Sequence, residues 1–295
     1  MKLNRTTFGF AALLACQMSL AQYGTPESLK AEMNQGDDLT FAREAAVLGA
    51  NSSLANAVFT PGRKGGGKLP ALVILPTCGG ISQHIRVWTE EAIKRGHVVL
   101  PVDGLRGLKA DCGSPSKITN GRLVKDTLDA VAHLAAMPDV DRQRISVLGF
   151  SKGAIVATWL ASTNVGNTLR PGTQSVAGVV AAYGLCGMGP TRGRPQGITI
   201  LQPDTDRPLL TLLGGRDNET SPASCLELMP KLKDKGAPVQ WHLYPEATHA
   251  WDKKEQDGFS KLDFKNERVT YQYDAATTED SIKRVFEFLA QRGGK

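Results

Sequence analysis

Short runs of uninterrupted apolar residues recur along this chain, and segments with helical patterning separate them. A strand buried on both faces of a sheet is apolar throughout, whereas a strand with one solvated face alternates. Strands that alternate with helices form a mainly parallel sheet covered by helices on both faces. The sequence therefore predicts an α/β fold of this kind. The predicted strands are 55–60, 69–75, 96–102, 144–148, 176–183, 208–213 and 239–244.

The predicted helices lie between these strands and after the last one. The clearest carries apolar residues from Val124 to Ala135 at the i, i+4, i+7 and i+11 spacing of an amphipathic helix. In the last helix, Glu279 and Asp280 are expected in the first turn, where acidic residues complement the helix dipole. The predicted helices are 88–95, 124–135, 152–161, 222–235 and 279–291. The long irregular stretches are 103–120, 186–207 and 252–277, and such lengths are typical of functional or mobile loops.

The composition is that of a globular protein. Hydrophobic residues make up 41% and charged residues 22% of the chain, which excludes a disordered or fibrous protein. No apolar run reaches the roughly 18 residues of a membrane-spanning helix, which excludes a multi-pass membrane protein. The basic residues behind the net charge of +6 are scattered, so nucleic acid is not an expected partner. The sequence does not indicate an oligomeric state.

The N-terminal residues 1–21 have the order of features of a signal peptide. Lys2 and Arg5 form a positive segment, residues 8–20 form a short apolar segment, and Ser19-Leu20-Ala21 fits a cleavage site. We expect a periplasmic or secreted protein without stable membrane insertion, in which 22–295 form a single domain. A buried N-terminal helix and a lipoprotein anchored through Cys16 are the alternatives.

Export changes the interpretation of the cysteines. Four remain after cleavage, no pair has the C-x-x-C spacing, and no histidine lies at metal-finger spacing, so neither zinc nor a redox motif is indicated. An even number of cysteines in an oxidising compartment favours disulfides, and four cysteines allow three pairings. The four are Cys78, Cys112, Cys186 and Cys225.

One pentapeptide indicates a catalytic function. Gly149-Phe150-Ser151-Lys152-Gly153 is a G-x-S-x-G motif that directly follows a predicted strand and directly precedes a predicted helix. This context is that of a nucleophile elbow, a sharp turn that exposes the serine hydroxyl above the sheet. The motif therefore indicates Ser151 as a nucleophile.

A serine hydroxyl needs a base and an acid that orients the base. Asp217 follows the strand at 208–213, and His249 follows the strand at 239–244. Loops at the carboxyl ends of parallel strands lie on one side of a sheet, so both side chains can converge on Ser151. The alternatives are a turn or capping role for Asp217 and a loop histidine for His249. Three other histidines fall on predicted elements, and His84 precedes the serine, against the order Ser, Asp, His.

Acyl transfer by such a triad also needs two backbone N–H groups that bind the developing oxyanion. One is expected from Lys152, the residue after the nucleophile. The other is expected from the loop Pro76-Thr77-Cys78-Gly79-Gly80, which follows a buried strand. Two glycines are also typical of an ordinary turn, so this loop indicates an oxyanion donor only in combination with the triad.

With these pieces, the chain from about Leu69 to the C-terminus resembles the dienelactone hydrolase family of α/β-hydrolases. The resemblance implies the α/β-hydrolase fold, with Ser151 as nucleophile, Asp217 as orienting acid, His249 as base and Cys78 as the second oxyanion donor. The sheet order of that fold also implies the disulfides Cys78–Cys112 and Cys186–Cys225. The segments that carry the resemblance are LPTCGGIS, GHVVLPVDGLRG, VDRQRISVLGFSKG, LLGGRDNETSPASC, GAPVQWHLYPEATHAWD and YQYDAATTEDSIKRVFEFL.

The chain departs from the best-known members of this family in two places. Those members use cysteine where this chain has Ser151, and they have a glutamate in the oxyanion loop where it has Thr77. Of the arginines with which they bind a substrate carboxylate, Arg106 is the candidate counterpart. Trp251 and His84 are further candidates for substrate binding.

Together these features predict a serine hydrolase that cleaves a small ester or lactone through an acyl-enzyme and requires no metal or organic cofactor. The residues expected around the mouth favour a polar or anionic substrate with a short acyl chain. A non-catalytic binding protein, a peptidase and an acyltransferase are the alternatives on the same fold. The mouth candidates are Arg106, Lys152, Arg192 and Arg194, with Met188 as apolar lining beside Trp251.

Overall fold

The computed structural model describes residues 23–62, 66–113, 116–173, 176–190, 195–263 and 266–291. The predicted signal peptide at 1–21, as well as Arg192 and Arg194, lie outside these residues. Among the described helices, none is both long and apolar enough to cross a membrane.

An eight-stranded sheet forms the centre of the protein, in the order β1-β2-β4-β3-β5-β6-β9-β10. The six strands from β4 to β10 pair in parallel, whereas β2 runs antiparallel to β4. The α/β prediction is thereby confirmed. The strands are β1 Ala45–Ala46, β2 Val58–Phe59, β3 Leu69–Leu75, β4 Val98–Pro101, β5 Val140–Phe150, β6 Gly178–Ala182, β9 Leu209–Gly214 and β10 Val239–Tyr244.

Alternate residues of the central strands enter two separate hydrophobic clusters, one on each face of the sheet. On β3, Ala71, Val73 and Leu75 belong to one cluster, and Leu72 and Ile74 belong to the other. The first cluster also contains residues of α1, α3, α4, α5 and α6, and the second contains residues of α2 and α7. The helices are α1 Pro26–Glu32, α2 Gln83–Lys94, α3 Asn120–Ala136, α4 Lys152–Trp159, α5 Thr163–Leu169, α6 Ala223–Asp234 and α7 Ala275–Ala290.

The structure corrects the start of the last helix. The α7 helix begins at Ala275, where the Asp274 carboxylate accepts a 2.9 Å hydrogen bond from the Thr277 amide and caps the first turn. Glu279 and Asp280 therefore lie in the second turn, not the first. Helix α2 likewise begins at Gln83, five residues before the predicted start at 88.

Two of the long irregular stretches contain short pairs of strands. Stretch 186–207 holds β7 Gly187–Met188 and β8 Ile198–Thr199, which pair antiparallel. Stretch 252–277 holds β11 Ser260–Leu262 and β12 Arg268–Thr270, also antiparallel. The β11–β12 hairpin lies beside the site described next.

Candidate active site

Ser151 sits at the turn between β5 and α4, as the motif predicts. Its backbone has φ 51° and ψ −112°, a conformation that costs a non-glycine residue on the order of 1–3 kcal/mol. A Cβ on Gly149 would lie 2.1 Å from the Gly153 carbonyl oxygen, and a Cβ on Gly153 would lie 2.5 Å from the Leu75 carbonyl oxygen. The two glycines of the motif are therefore required by close backbone approach, which lets the chain hold Ser151 in this turn.

Asp217 and His249 reach Ser151 from the loops after β9 and β10. The His249 Nδ1 atom lies 2.8 Å from Asp217 Oδ2, and its Nε2 atom lies 3.0 Å from Ser151 Oγ. All three residues are buried. Because β5, β9 and β10 are parallel, their carboxyl ends bring these residues together from positions far apart in the sequence.

Thr220, which the sequence analysis did not identify, fixes the Asp217 carboxylate. The Thr220 amide donates to Asp217 Oδ1 at 2.8 Å, and the Glu219 amide donates to the same oxygen at 3.0 Å. The Thr220 hydroxyl lies 2.8 Å from Asp217 Oδ2 and 2.8 Å from the Tyr183 carbonyl oxygen. The D-x-x-T spacing directly after a strand is the signal that indicates this turn.

The electrostatics of the pair favour an ionised Asp217. Burial disfavours the charged imidazole of His249, but the carboxylates of Asp217 and Glu219 outweigh burial and raise the pKa of His249. Burial would raise the pKa of Asp217, and the charge and hydrogen bond of His249 outweigh it, so that pKa is lowered. Asp217 is thus the partner that carries the charge.

A buried aromatic cluster packs against the imidazole ring of His249. The Tyr183 ring packs edge-on against the imidazole with 5.0 Å between centroids. The Tyr183 hydroxyl donates to Asp252 Oδ1 at 2.8 Å, and Trp88 Nε1 donates to Asp252 Oδ2 at 2.7 Å. The Asp252 carboxylate therefore fixes the Tyr183 ring, which in turn restricts the imidazole.

The loop after β3 faces the same cleft as Ser151. Neither the Cys78 amide nor the Lys152 amide donates a hydrogen bond to another of the described residues. Cys78 lines the cleft, and Lys152 directly follows Ser151, which also lines it. The loop is held by Gly80 N, which donates to the Thr77 carbonyl at 2.9 Å, and by Asp111 N, which donates to the Cys78 carbonyl at 2.8 Å. These contacts leave two amides available for an oxyanion.

Both disulfides implied by the family resemblance are present. Cys78 is bonded to Cys112 with a Cα–Cα distance of 4.9 Å, and Cys186 is bonded to Cys225 with 4.8 Å. The first joins the loop after β3 to the loop after β4 at the wall of the cleft. The second joins the segment after β6 to helix α6.

Two of the four cations predicted at the mouth lie within the described residues, and both are paired with carboxylates. The Arg106 guanidinium contacts both oxygens of buried Asp126 at 2.7 Å and also donates to the Gly104 carbonyl. The Lys152 ammonium pairs with Asp111 at 2.8 Å. Each of these side chains is therefore paired with a carboxylate, which argues against a direct role of either cation in binding the substrate.

The other predicted binding residues also lie away from the cleft. Trp251 is buried between Tyr183 and Tyr244 and donates from Nε1 to Ser281. His84 is buried against Phe150, and its Nδ1 atom lies 2.8 Å from the Ser82 hydroxyl. Both side chains are packed into the protein behind the site. Met188 lies on β7 and does not belong to the cleft lining either.

The cleft above Ser151 has a volume of about 220 Å³. Among the described residues, two cations line it, Lys253 and Lys261. Burial lowers the pKa of Lys253, which is 4% exposed, while the carboxylates of Glu255 and Asp252 favour its charged form. Within the described part of the chain, the Lys253 ammonium makes no hydrogen bond or ion pair, whereas Lys261 pairs with Glu219 at 2.7 Å. The remaining lining residues include Ala110, Ala250, Phe259 and Tyr271.

The described part of the structure contains no group of side chains that could bind a metal ion. No three His, Cys, Asp or Glu side chains among those residues come together as a metal-binding group.

Comparisons with known proteins agree with this architecture. A protein of Escherichia coli (strain K12) named "Putative carboxymethylenebutenolidase" is 25% identical over 239 residues, which cover 78% of this chain and 79% of that protein. A thermophilic esterase of Thermogutta terrifontis has a TM-score of 0.58 at 16% identity and covers 80% of this chain and 88% of its own. A dienelactone hydrolase-like promiscuous phosphotriesterase from metagenomic libraries has a TM-score of 0.55 at 16% identity, with 77% and 88% covered.

The family assignment follows from the match over most of the chain. The sequence model described as the dienelactone hydrolase family matches residues 54–293. This range includes β2 to α7 and every residue of the cleft. The chain therefore belongs to the dienelactone hydrolase family and is a carboxylic ester hydrolase with the α/β-hydrolase fold.

Proposed function

We propose that this enzyme cleaves a small carboxylic ester or lactone through a triad of Ser151, His249 and Asp217 and a covalent acyl-enzyme. One observation carries the proposal: the unbroken line of hydrogen-bond distances from Ser151 Oγ through His249 to Asp217, 3.0 and 2.8 Å. Starting from Asp217, each group prepares the next one for the reaction. The carboxylate orients the imidazole, and the imidazole accepts the hydroxyl proton.

Acylation begins when Ser151 Oγ attacks the carbonyl carbon and its proton passes to His249 Nε2. The imidazolium that forms lies beside Asp217, whose negative charge stabilises it. The carbonyl oxygen becomes an oxyanion, and the amides of Cys78 and Lys152 are the proposed donors to it. His249 then gives its proton to the leaving alcohol oxygen as the carbon–oxygen bond of the ester breaks.

Deacylation repeats these steps with water. His249 accepts a proton from water, the water oxygen attacks the acyl carbon, and the bond from that carbon to Ser151 Oγ breaks. Ser151 recovers its proton from His249, and the acid is released. All of these proton transfers involve side chains of this chain, the substrate and the hydrolytic water.

We also propose that the protein is exported and that residues 22–295 form one domain. The two disulfides support an oxidising compartment, because such bonds are rare in the cytosol. The signal-peptide pattern at residues 1–21 supports the same conclusion from the sequence.

A fluorophosphonate probe tests the proposed nucleophile directly. We expect the probe to label the wild-type protein covalently, with the adduct on Ser151 in a peptide map, because this reagent requires an activated serine. Ser151→Ala should not be labelled. A wild-type protein that remains unlabelled would contradict the proposal and favour a binding protein on the same fold.

The cleft also predicts the preferred ester. A volume of about 220 Å³ accommodates a short acyl group, and Lys253 offers a buried positive charge to an anionic one. In a series of p-nitrophenyl esters from acetate to palmitate, we expect kcat/KM to peak at four carbons or fewer. Mono-p-nitrophenyl succinate should be a better substrate than the butyrate, and Lys253→Met should reduce this preference about tenfold.

Lys231→Met, on the exposed face of α6, is the matched control and should leave the preference unchanged. A lactone in the same series separates lactonase from esterase activity. A kcat/KM that peaks at palmitate, or rises abruptly as micelles form, would show that the enzyme is a lipase and contradict this prediction.

A further inference from the structure

A second carboxylate lies beside His249, on the side that faces Ser151. The Oε2 atom of Glu219 is 3.9 Å from His249 Nε2, whereas Asp217 contacts the opposite nitrogen, Nδ1. One short loop supplies both carboxylates, since residues 217 and 219 are two positions apart. The imidazole is thus flanked by two acids with different partners.

Glu219 is held in this position from the β11–β12 hairpin. The Tyr271 hydroxyl donates to Glu219 Oε2 at 2.6 Å, and the Lys261 ammonium contacts Glu219 Oε1 at 2.7 Å. The Glu219 amide donates to Asp217 Oδ1 at 3.0 Å, which fixes the backbone as well. The side chain is 17% exposed, so its carboxylate keeps access to solvent.

The distance of 3.9 Å is too long for a direct hydrogen bond between the two side chains. A polar pair at such a separation suits a bridging oxygen, because an oxygen at about 2.8 Å from each atom fits between them. Nε2 is the atom that exchanges protons with the leaving group and with water. Tyr271 and Lys261 line the cleft together with Ser151 and His249, so this space belongs to the substrate side.

We propose that Glu219 is a positioning residue that holds the hydrolytic water beside His249 during deacylation. The inference rests on the acyl-enzyme mechanism proposed above. The water donates one proton to His249 Nε2 and a hydrogen bond from its other O–H group to Glu219. Its oxygen forms the bond to the acyl carbon as the bond to Ser151 Oγ breaks. Glu219 accepts a hydrogen bond throughout and ends the step unprotonated, so the proton balance of the triad is unchanged.

Acylation and deacylation differ in whether the group that donates its proton to His249 must be held in place. During acylation His249 Nε2 receives its proton from Ser151 Oγ, which lies 3.0 Å away and needs no bridge. During deacylation the nucleophile is a small molecule without a covalent tether, and its orientation depends on the groups that bind it. Loss of Glu219 should therefore affect the second step more than the first.

The same carboxylate affects the pH profile. Glu219 is one of the groups that raise the pKa of His249, so its removal lowers that pKa. His249 must be neutral to accept a proton, and Glu219→Gln should therefore move the acid limb of kcat/KM to lower pH. The charged or titratable groups around the imidazole are Asp217, Glu219, Lys253, Lys261, Tyr183 and Tyr271.

Stopped-flow kinetics with p-nitrophenyl acetate test the proposal by measuring the two steps separately. For Glu219→Gln we expect the burst rate of acylation to stay within about threefold of the wild type while the deacylation rate falls at least about tenfold. Tyr271→Phe keeps the carboxylate but removes one of its holding contacts, and it should slow deacylation selectively by a smaller factor. Glu227→Gln on the exposed face of α6 is the matched control.

An equal fall in both rates would overturn the proposal, because it would indicate a general structural role. Unchanged deacylation in folded Glu219→Gln would overturn it as well. If Glu219→Gln does not fold, Tyr271→Phe decides: a deacylation rate equal to that of the wild type rejects the role. If the acyl-enzyme mechanism itself is wrong, the stopped-flow result is distinguishable, because the wild type would then show no burst that depends on Ser151.

Discussion

Replacement of Ser151 by alanine is expected to lower kcat by about a millionfold, the loss seen when the nucleophile of a catalytic triad is removed. The physical reason is that, among the described residues, no other hydroxyl or thiol lies within hydrogen-bond distance of His249 Nε2 and can form the acyl-enzyme in its place. The residual rate would come from the oxyanion donors and substrate binding alone. Steady-state hydrolysis of p-nitrophenyl acetate by purified protein measures this change.

Ser52→Ala is the matched control, because Ser52 lies in the loop before β2 and outside the cleft. It should retain the wild-type kcat. Ser151→Ala that keeps full ester hydrolysis would show that another residue is the nucleophile, whatever the geometry of the triad.

Asp217→Asn should lower kcat by about 10⁴. The carboxylate accepts a hydrogen bond from His249 Nδ1 at 2.8 Å, so Nε2 remains free of a proton and can act as a base. An asparagine that presents its amide group to Nδ1 favours the other tautomer, in which Nε2 already carries the proton. Loss of the negative charge also removes the stabilisation of the imidazolium. The rate of p-nitrophenyl acetate hydrolysis at pH 7 to 9 measures the effect.

The turn at Asp217 permits this test without loss of the fold. The amides of Glu219 and Thr220 donate to Asp217 Oδ1, and an asparagine oxygen can accept the same bonds. We expect Asp217→Asn to remain folded in a thermal melt, with Asp206→Asn, at an exposed surface pair, as control. A folded Asp217→Asn with kcat within tenfold of the wild type would reject the orienting role.

The sheet and the three proposed catalytic residues could be predicted because their signals are local. The bounds of β3 and β10 agree with the predicted 69–75 and 239–244, since β3 is an apolar run and β10 is flanked by Pro238 and Pro245. Ser151 was indicated by a pentapeptide whose glycines are required by close backbone contacts. In each case the sequence signal lies in one short segment, even where the contact that explains it comes from a distant part of the chain.

The substrate-binding residues could not be predicted in this way. Arg106 and Trp251 were chosen for residue type and proximity in sequence, but a buried carboxylate engages the first and an aromatic cluster encloses the second. Glu219 is contacted by Lys261 and Tyr271 from a hairpin whose strands have three residues each, too short for a periodic pattern. Their contacts depend on tertiary structure, for which a single sequence offers no local signal.

The disulfide between Cys78 and Cys112 makes the proposed oxyanion site depend on oxidation of the protein after synthesis. The Cys78 amide is a proposed oxyanion donor, and the bond ties its loop to a residue 34 positions away. The triad residues and the Lys152 amide come from other loops, so a chain with free thiols assembles its nucleophile before the Cys78 amide is fixed as the second oxyanion donor. Under the export proposed above, the full hydrolytic rate would be reached only after translocation exposes the thiols to an oxidant. The same order of events would keep the hydrolytic rate low in the cytosol, where the disulfide does not form.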